Sequence, residues 1–163
     1  MRVALDSDVM IDALRTRAVR HKRAADFLRK IPNLGHVGIL SPIVTHELYT
    51  GAYASPTVET AIRGLEAVFA KYRLEAPPYT LSMSKLAGEK AANYLARTKS
   101  AQLLERKRMD IMIGSHAMLA ADCLITWNRD DYRKVGYGDL LILTPDEFIS
   151  MYPLNKGKNE SDR

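Results

Sequence analysis

Arg2-Val3-Ala4-Leu5-Asp6-Ser7-Asp8-Val9 is the stretch on which the fold reading turns. Val3 to Leu5 is a short apolar run, two aspartates follow at once, and helical apolar spacing begins at Val9. This is a buried strand that ends in a carboxylate and passes straight into a helix. In an open α/β sheet, ligands bind in the crevice beyond the carboxyl ends of the strands. A carboxylate placed there must be paired or must hold a cation if it is buried. Asp6 or Ser7 can also serve simply as the helix N-cap, a position both residue types favour.

The same grammar recurs downstream. Val37 to Leu40 reads as a second strand, and Ser41-Pro42 opens a helix to about Tyr49, with Ser as N-cap, Pro at the first position and Gly51 marking the end. Val19 to Ile31, Val58 to Tyr72 and Ser84 to Thr98 carry apolar residues at helical spacing. Lys99 to Met109 is polar and basic, open to either loop or helix, and Asp110 stands at the start of a strong helical run to Ala121. Cys123 to Thr126 and Leu140 to Leu143 are the remaining strands, separated by a polar turn over Trp127 to Tyr132. Thr144-Pro145-Asp146-Glu147 starts a last helix. Short apolar strands alternating with helices imply an α/β protein, a three-layer α/β/α sandwich around a mostly parallel sheet. No repeat or linker divides the chain, so residues 1–152 are expected to form one domain and 153–163 a polar, disordered tail.

Composition narrows the classes. The chain has 163 residues, 47% hydrophobic and 26% charged, in keeping with a soluble globular domain. No apolar run approaches the ~20 residues that span a bilayer, and the N-terminus shows no signal-peptide pattern. The single cysteine, Cys123, excludes an intrachain disulfide and lies in an apolar run, so a cytoplasmic protein is expected. The net charge of +5 permits a polyanionic partner. Basic residues cluster at Arg15, Arg17, Arg20, Lys22 and Arg23, and again at Arg106, Lys107 and Arg108, just before Asp110.

Asp6, Glu47, Asp110 and Asp131 each lie where a strand ends or a helix begins, so all are expected to converge on one edge of the sheet. Carboxylates at close range repel, and such a cluster needs a cation. Oxygen donors without Cys suit Mg²⁺ or Mn²⁺. His46-Glu47 begins like a zinc-protease motif, but Thr50 stands where its second His must be.

Four stretches resemble one family. Leu5-Asp6-Ser7-Asp8-Val9-Met10-Ile11-Asp12 is similar to the opening of PIN-domain nucleases. Leu40 to Gly51, around Glu47, resembles their second acidic motif. Asp110-Ile111-Met112-Ile113-Gly114-Ser115-His116-Ala117 resembles the third. Leu124 to Tyr132 resembles the fourth, and Thr144 to Phe148 is a familiar ending. The nearest subgroup is the VapC-like toxin ribonucleases. The resemblance implies a Mg²⁺-dependent endoribonuclease, dimeric and held inactive by a cognate antitoxin. It makes Asp6 and Asp110 the principal metal ligands, Glu47 the third acid and Asp131 the fourth, with Asn128 and Asp130 competing for that last role. Ser7, Thr126 and Asn128 are supporting residues, and Arg106, Lys107 and Arg108 are candidates for the RNA backbone. Asp8 stands where the family more often has Asn, and Gly114 where it often has Ala, a mild change. Asp6-Ser7-Asp8 is also similar to the haloacid-dehalogenase phosphatases, with Asp6 as nucleophile and Asp8 as acid/base, but no Lys is well placed for that chemistry. A degenerate domain that binds RNA or protein without cleaving is the remaining alternative.

Overall fold

The computed structural model describes residues 1–153. The polar tail expected from residue 153 lies, from residue 154 on, outside the described residues. Four strands, β1 (Arg2–Leu5), β2 (Val37–Leu40), β3 (Cys123–Ile125) and β4 (Ile142–Leu143), form one parallel sheet in the order β2-β1-β3-β4. The chain steps from β1 outward to β2, then returns to the other side of β1 to place β3 and β4. The order therefore reverses between β1 and β3, and the crevice beyond their carboxyl ends is where such a sheet receives a ligand. Asp6 follows β1 and Thr126 follows β3, and the Asp6 N–H donates to the Ile125 carbonyl at 3.0 Å.

Among the described residues, eight helices cover the sheet: α1 (Ser7–Leu14), α2 (His21–Asn33), α3 (Pro42–Tyr53), α4 (Val58–Tyr72), α5 (Leu81–Thr98), α6 (Ala101–Ala120), α7 (Arg129–Val135) and α8 (Pro145–Met151). Val3, Leu5, Ile39, Leu124 and Ile125 are at most 1% exposed, so both sheet faces are covered and the α/β sandwich is present. Local chemistry sets the helix starts. The Ser41 hydroxyl accepts the Val44 N–H at 3.1 Å with Pro42 in the first turn, and Thr144 and Glu147 form a reciprocal capping box.

The elements depart from the sequence expectation at several places. Gly51 does not end α3, which continues to Tyr53. α5 starts at Leu81, because the Thr80 hydroxyl accepts the Met83 N–H. The Trp127–Tyr132 turn is only partly a turn, since α7 begins at Arg129. The last strand shrinks to Ile142–Leu143. The largest change concerns Asp110. It does not start a helix: Ser100 caps a continuous α6 of 20 residues, and Asp110 lies in its middle.

Candidate active site

Asp6 is the innermost acid, 5% exposed. It is both cap and site residue. Its Oδ1 accepts the Ser7 N–H at 2.7 Å, and its Oδ2 accepts the Thr126 hydroxyl at 2.8 Å. Burial raises its proton affinity above the usual carboxylate range, against the hydrogen bonds from Thr126 and Ser7, and the charge on Asp110 adds to the rise. The Tyr132 hydroxyl is buried beside Asp6, and burial first, then the Asp6 and Asp110 charges, hold its proton on. Asp8 sits one helical step on. Its Oδ2 accepts the Trp127 N–H at 3.0 Å and the Thr126 hydroxyl at 3.3 Å, while its Oδ1 is buried without a partner. Burial first, and the Asp6 charge second, push its pKa up to about 7.

Asp110 and Asp131 approach the same place from α6 and α7, and a cation joins them. The Lys107 ammonium lies 3.0 Å from Asp110 Oδ2 and 2.5 Å from Asp131 Oδ2. Lys107 precedes Asp110 by three residues, so both project from one face of α6. Burial raises the Asp110 pKa in spite of the ammonium. Asp131 is lowered, because its slight burial is outweighed by the Lys107 hydrogen bond and charge, with Asn128 and Lys134 assisting. The Asn128 amide donates to Asp131, and Asp130 is exposed.

Glu47 comes from α3 and forms no ion pair among the described residues. Its Oε2 is buried without a partner, and it lines a cavity of about 630 Å³ with Ile11, Leu14, Leu48 and Leu65. The basic trio divides as well: Lys107 turns inward, whereas Arg108 pairs with Glu105 at 2.5 Å on the exposed side of α6.

The turn of α6 that carries Asp110 is held by Tyr137. Its hydroxyl donates to the Ile111 carbonyl at 2.5 Å and shares a hydrogen bond with Ser115 at 2.6 Å. The ring lies against Gly114, where an added Cβ would come within 2.5 Å of a ring carbon. Alanine at 114 is therefore a severe change in this chain, not the mild one the resemblance implies.

Among the described residues, no three acidic, His or Cys side chains form a group that could hold a metal ion as arranged. The donor chemistry nevertheless fits a hard cation. The donors are carboxylate oxygens, Asp8 Oδ1 is orphaned, and a positive charge already sits between Asp110 and Asp131. Sequence reasoning missed the inward turn of Lys107 and the place of Tyr132. The spacing of Lys107 to Asp110 was the available signal for the first, and nothing in the sequence marked the second.

The PIN-domain family model matches residues 3–137, and the chain belongs to that family. No curated protein sequence matches it. Its fold is similar to solved structures of DNA-bound VapBC from Salmonella typhimurium (TM-score 0.67, 21% identity, 89% of this chain and 98% of that one). It is likewise similar to VapBC-1 from nontypeable Haemophilus influenzae (0.67, 22%, 90% and 99%) and to VapBC2 from Rickettsia felis on promoter DNA (0.65, 20%, 88% and 98%). Membership in this family displaces the phosphatase reading of Asp6 and Asp8. No helix among the described residues is long and apolar enough to cross a membrane.

Proposed function

We propose that the protein is a Mg²⁺-dependent endoribonuclease, the toxin of a toxin–antitoxin pair, with residues 1–152 as its nuclease unit. One observation carries the reading: at the β1/β3 switch point of a PIN fold, the buried Asp6 lies within range of the Asp110 charge, and Asp110 shares the Lys107 ammonium with Asp131. Asp6 and Asp110, with Asp131, would hold the divalent cation, Mg²⁺ or Mn²⁺. When bound, that ion polarises the phosphate and lowers the pKa of a water. The chain's own groups do the rest. Thr126 and Ser7 fix the Asp6 carboxylate by donating to its two oxygens. Asp131, the acid most readily ionised in the row, orients the attacking water, and a 5′-phosphate is the expected product. Lys107 offers its ammonium to a phosphate oxygen, with Arg106 and Arg108 along the same helix for the backbone. Glu47, whose buried Oε2 has no partner among the described residues, would be the third acid of the cation-holding set.

The partner reading rests on the structural neighbours, which are VapBC and FitAB assemblies. A cognate antitoxin, a homodimer and a cytoplasmic setting are part of the same proposal. Incubating the purified protein with RNA tests the enzymatic claim. Cleavage that requires Mg²⁺, stops with a chelator and is lost in Asp6→Ala supports it. Intact RNA under all metal conditions sinks it.

A further inference from the structure

The first basic cluster plays no part in the site as described, yet the fold brings it to the site's rim. Arg20 stands just before the first residue of α2, and Arg23 follows one turn on. Both guanidiniums lie over the indole of Trp127, at 5.0 and 5.2 Å from the ring centroid. Trp127 is the residue after Thr126, and its backbone N–H is bonded to Asp8. The indole is therefore anchored to the acidic row by its own main chain.

The two arginines are held without being used up. Arg20 Nε lies 3.1 Å from Asp12 Oδ2 as an ion pair, and Arg23 gives Nε and Nη2 to Asp146. Arg20 Nη1 and Nη2 and Arg23 Nη1 keep their N–H groups without a protein partner among the described residues. Both side chains are about half exposed, 45% and 56%. A guanidinium stacked on an aromatic face and oriented by a carboxylate presents its remaining N–H fork in a fixed direction, which suits a phosphate. Arg15, Arg17 and Lys22 are exposed beside it and have no ion pair among the described residues.

We propose that Trp127, Arg20 and Arg23 form a docking step for single-stranded RNA, holding backbone phosphates next to the scissile position, with Arg15, Arg17 and Lys22 extending the track. This rests on the ribonuclease reading and adds a route for the substrate. An indole with cations on it is a platform for unpaired nucleotides, which combine a stacking face with a phosphate. An acidic polypeptide offers only the charge.

The chain has one tryptophan, so its intrinsic fluorescence reports on this position alone. The experiment titrates the full-length protein, in EDTA, with a twelve-nucleotide single-stranded RNA and, separately, with a polyglutamate peptide. Saturable change in Trp127 emission with RNA, and none with the peptide at equal charge, is expected. Arg20→Gln with Arg23→Gln should weaken RNA binding about tenfold near 0.1 M salt and lower the salt slope by about 1.4, from roughly 0.7 per phosphate contact on a single strand. Arg20→Lys with Arg23→Lys keeps the charges and controls for folding; it should bind with intermediate affinity and nearly the wild-type slope. RNA that binds with unchanged emission and unchanged slope in the Gln variant, while wild type cleaves it in Mg²⁺, overturns the docking step and spares the ribonuclease reading. An equal response to polyglutamate reassigns the surface to an acidic protein segment and overturns it too. RNA neither bound nor cleaved overturns both.

Discussion

The two halves of the acidic row tolerate negative charge by different means. Asp6 and Asp8 sit behind β1 and β3, where hydroxyl and amide donors hold them and burial favours their protonated forms. Asp110 and Asp131 lie nearer solvent, 26% and 20% exposed at the side chain, and share the Lys107 ammonium. One half relies on fixed hydrogen-bond donors, the other on an ammonium of the chain itself. A removable positive charge belongs on the side an ion must enter, because it can leave without exposing the buried pair. Fixed donors belong on the side whose geometry must not change.

The largest effect should come from Asp110→Asn, which keeps the side-chain shape. Cleavage should fall by about 10³-fold, corresponding to the several kcal/mol of charge stabilisation a bound cation supplies. Stability in EDTA should match or exceed wild type, because burial disfavours the Asp110 charge. Since Asp110 is inside α6, a cap role cannot rescue the Asn variant, and retained Mg²⁺-dependent activity would break the comparison.

Thr126→Val tests the fixed side. Thr126 is fully buried, and the change leaves Asp6 Oδ2 without its donor and the Asn128 N–H without its acceptor. A loss of about 1–3 kcal/mol in urea unfolding is expected, with no dependence on added metal. A fully stable Val variant would show that the hydroxyl does not hold Asp6.

Lys107→Met tests the removable side. Without the competing ammonium, Mg²⁺ should bind about tenfold more tightly by calorimetry, about 1.4 kcal/mol, while the metal-free protein melts lower. Weaker metal binding in the variant would make Lys107 part of the ion's support instead of its rival.

The smallest effect is a difference of sign with pH, measured by melting in EDTA. The Asp8 pKa is raised from 3.8 to about 7, so the folded state binds its proton more tightly than the unfolded chain does. That contribution is complete below about 4 and is lost as pH rises toward 7. Asp131 is lowered, so its contribution is present above the unfolded value and is lost as pH falls through the folded one. Asp8→Asn should flatten the first limb, and Lys107→Met the second. A single limb of one sign in all three proteins would mean the two halves are not distinct.

Much of this architecture was open to reading from the chain. Apolar triplets bounded by acids located β1 and β3, and Ser41-Pro42 and Thr144-Pro145 located two helix starts, because capping is a local matter of one side chain and one amide. The continuity of α6 was hidden. Its first half has no apolar stripe, since Glu105, Arg106 and Arg108 face solvent, so only the Ser100 cap announced it. That concealment moved Asp110 to a helix start and left Lys107 as a surface charge. Asp8 was visible as an added charge, but its retained proton depends on burial supplied by residues after β3.

The contact between Gly114 and Tyr137 ties the histories of two distant positions. A methyl group at 114 has no room while the Tyr137 ring is in place, and a smaller residue at 137 alone leaves a void and drops the hydroxyl that holds the Ile111 carbonyl. Neither position can drift by itself without an unstable intermediate. Ala at the first position and a smaller residue at the second should therefore cost less stability together than the two changes made singly.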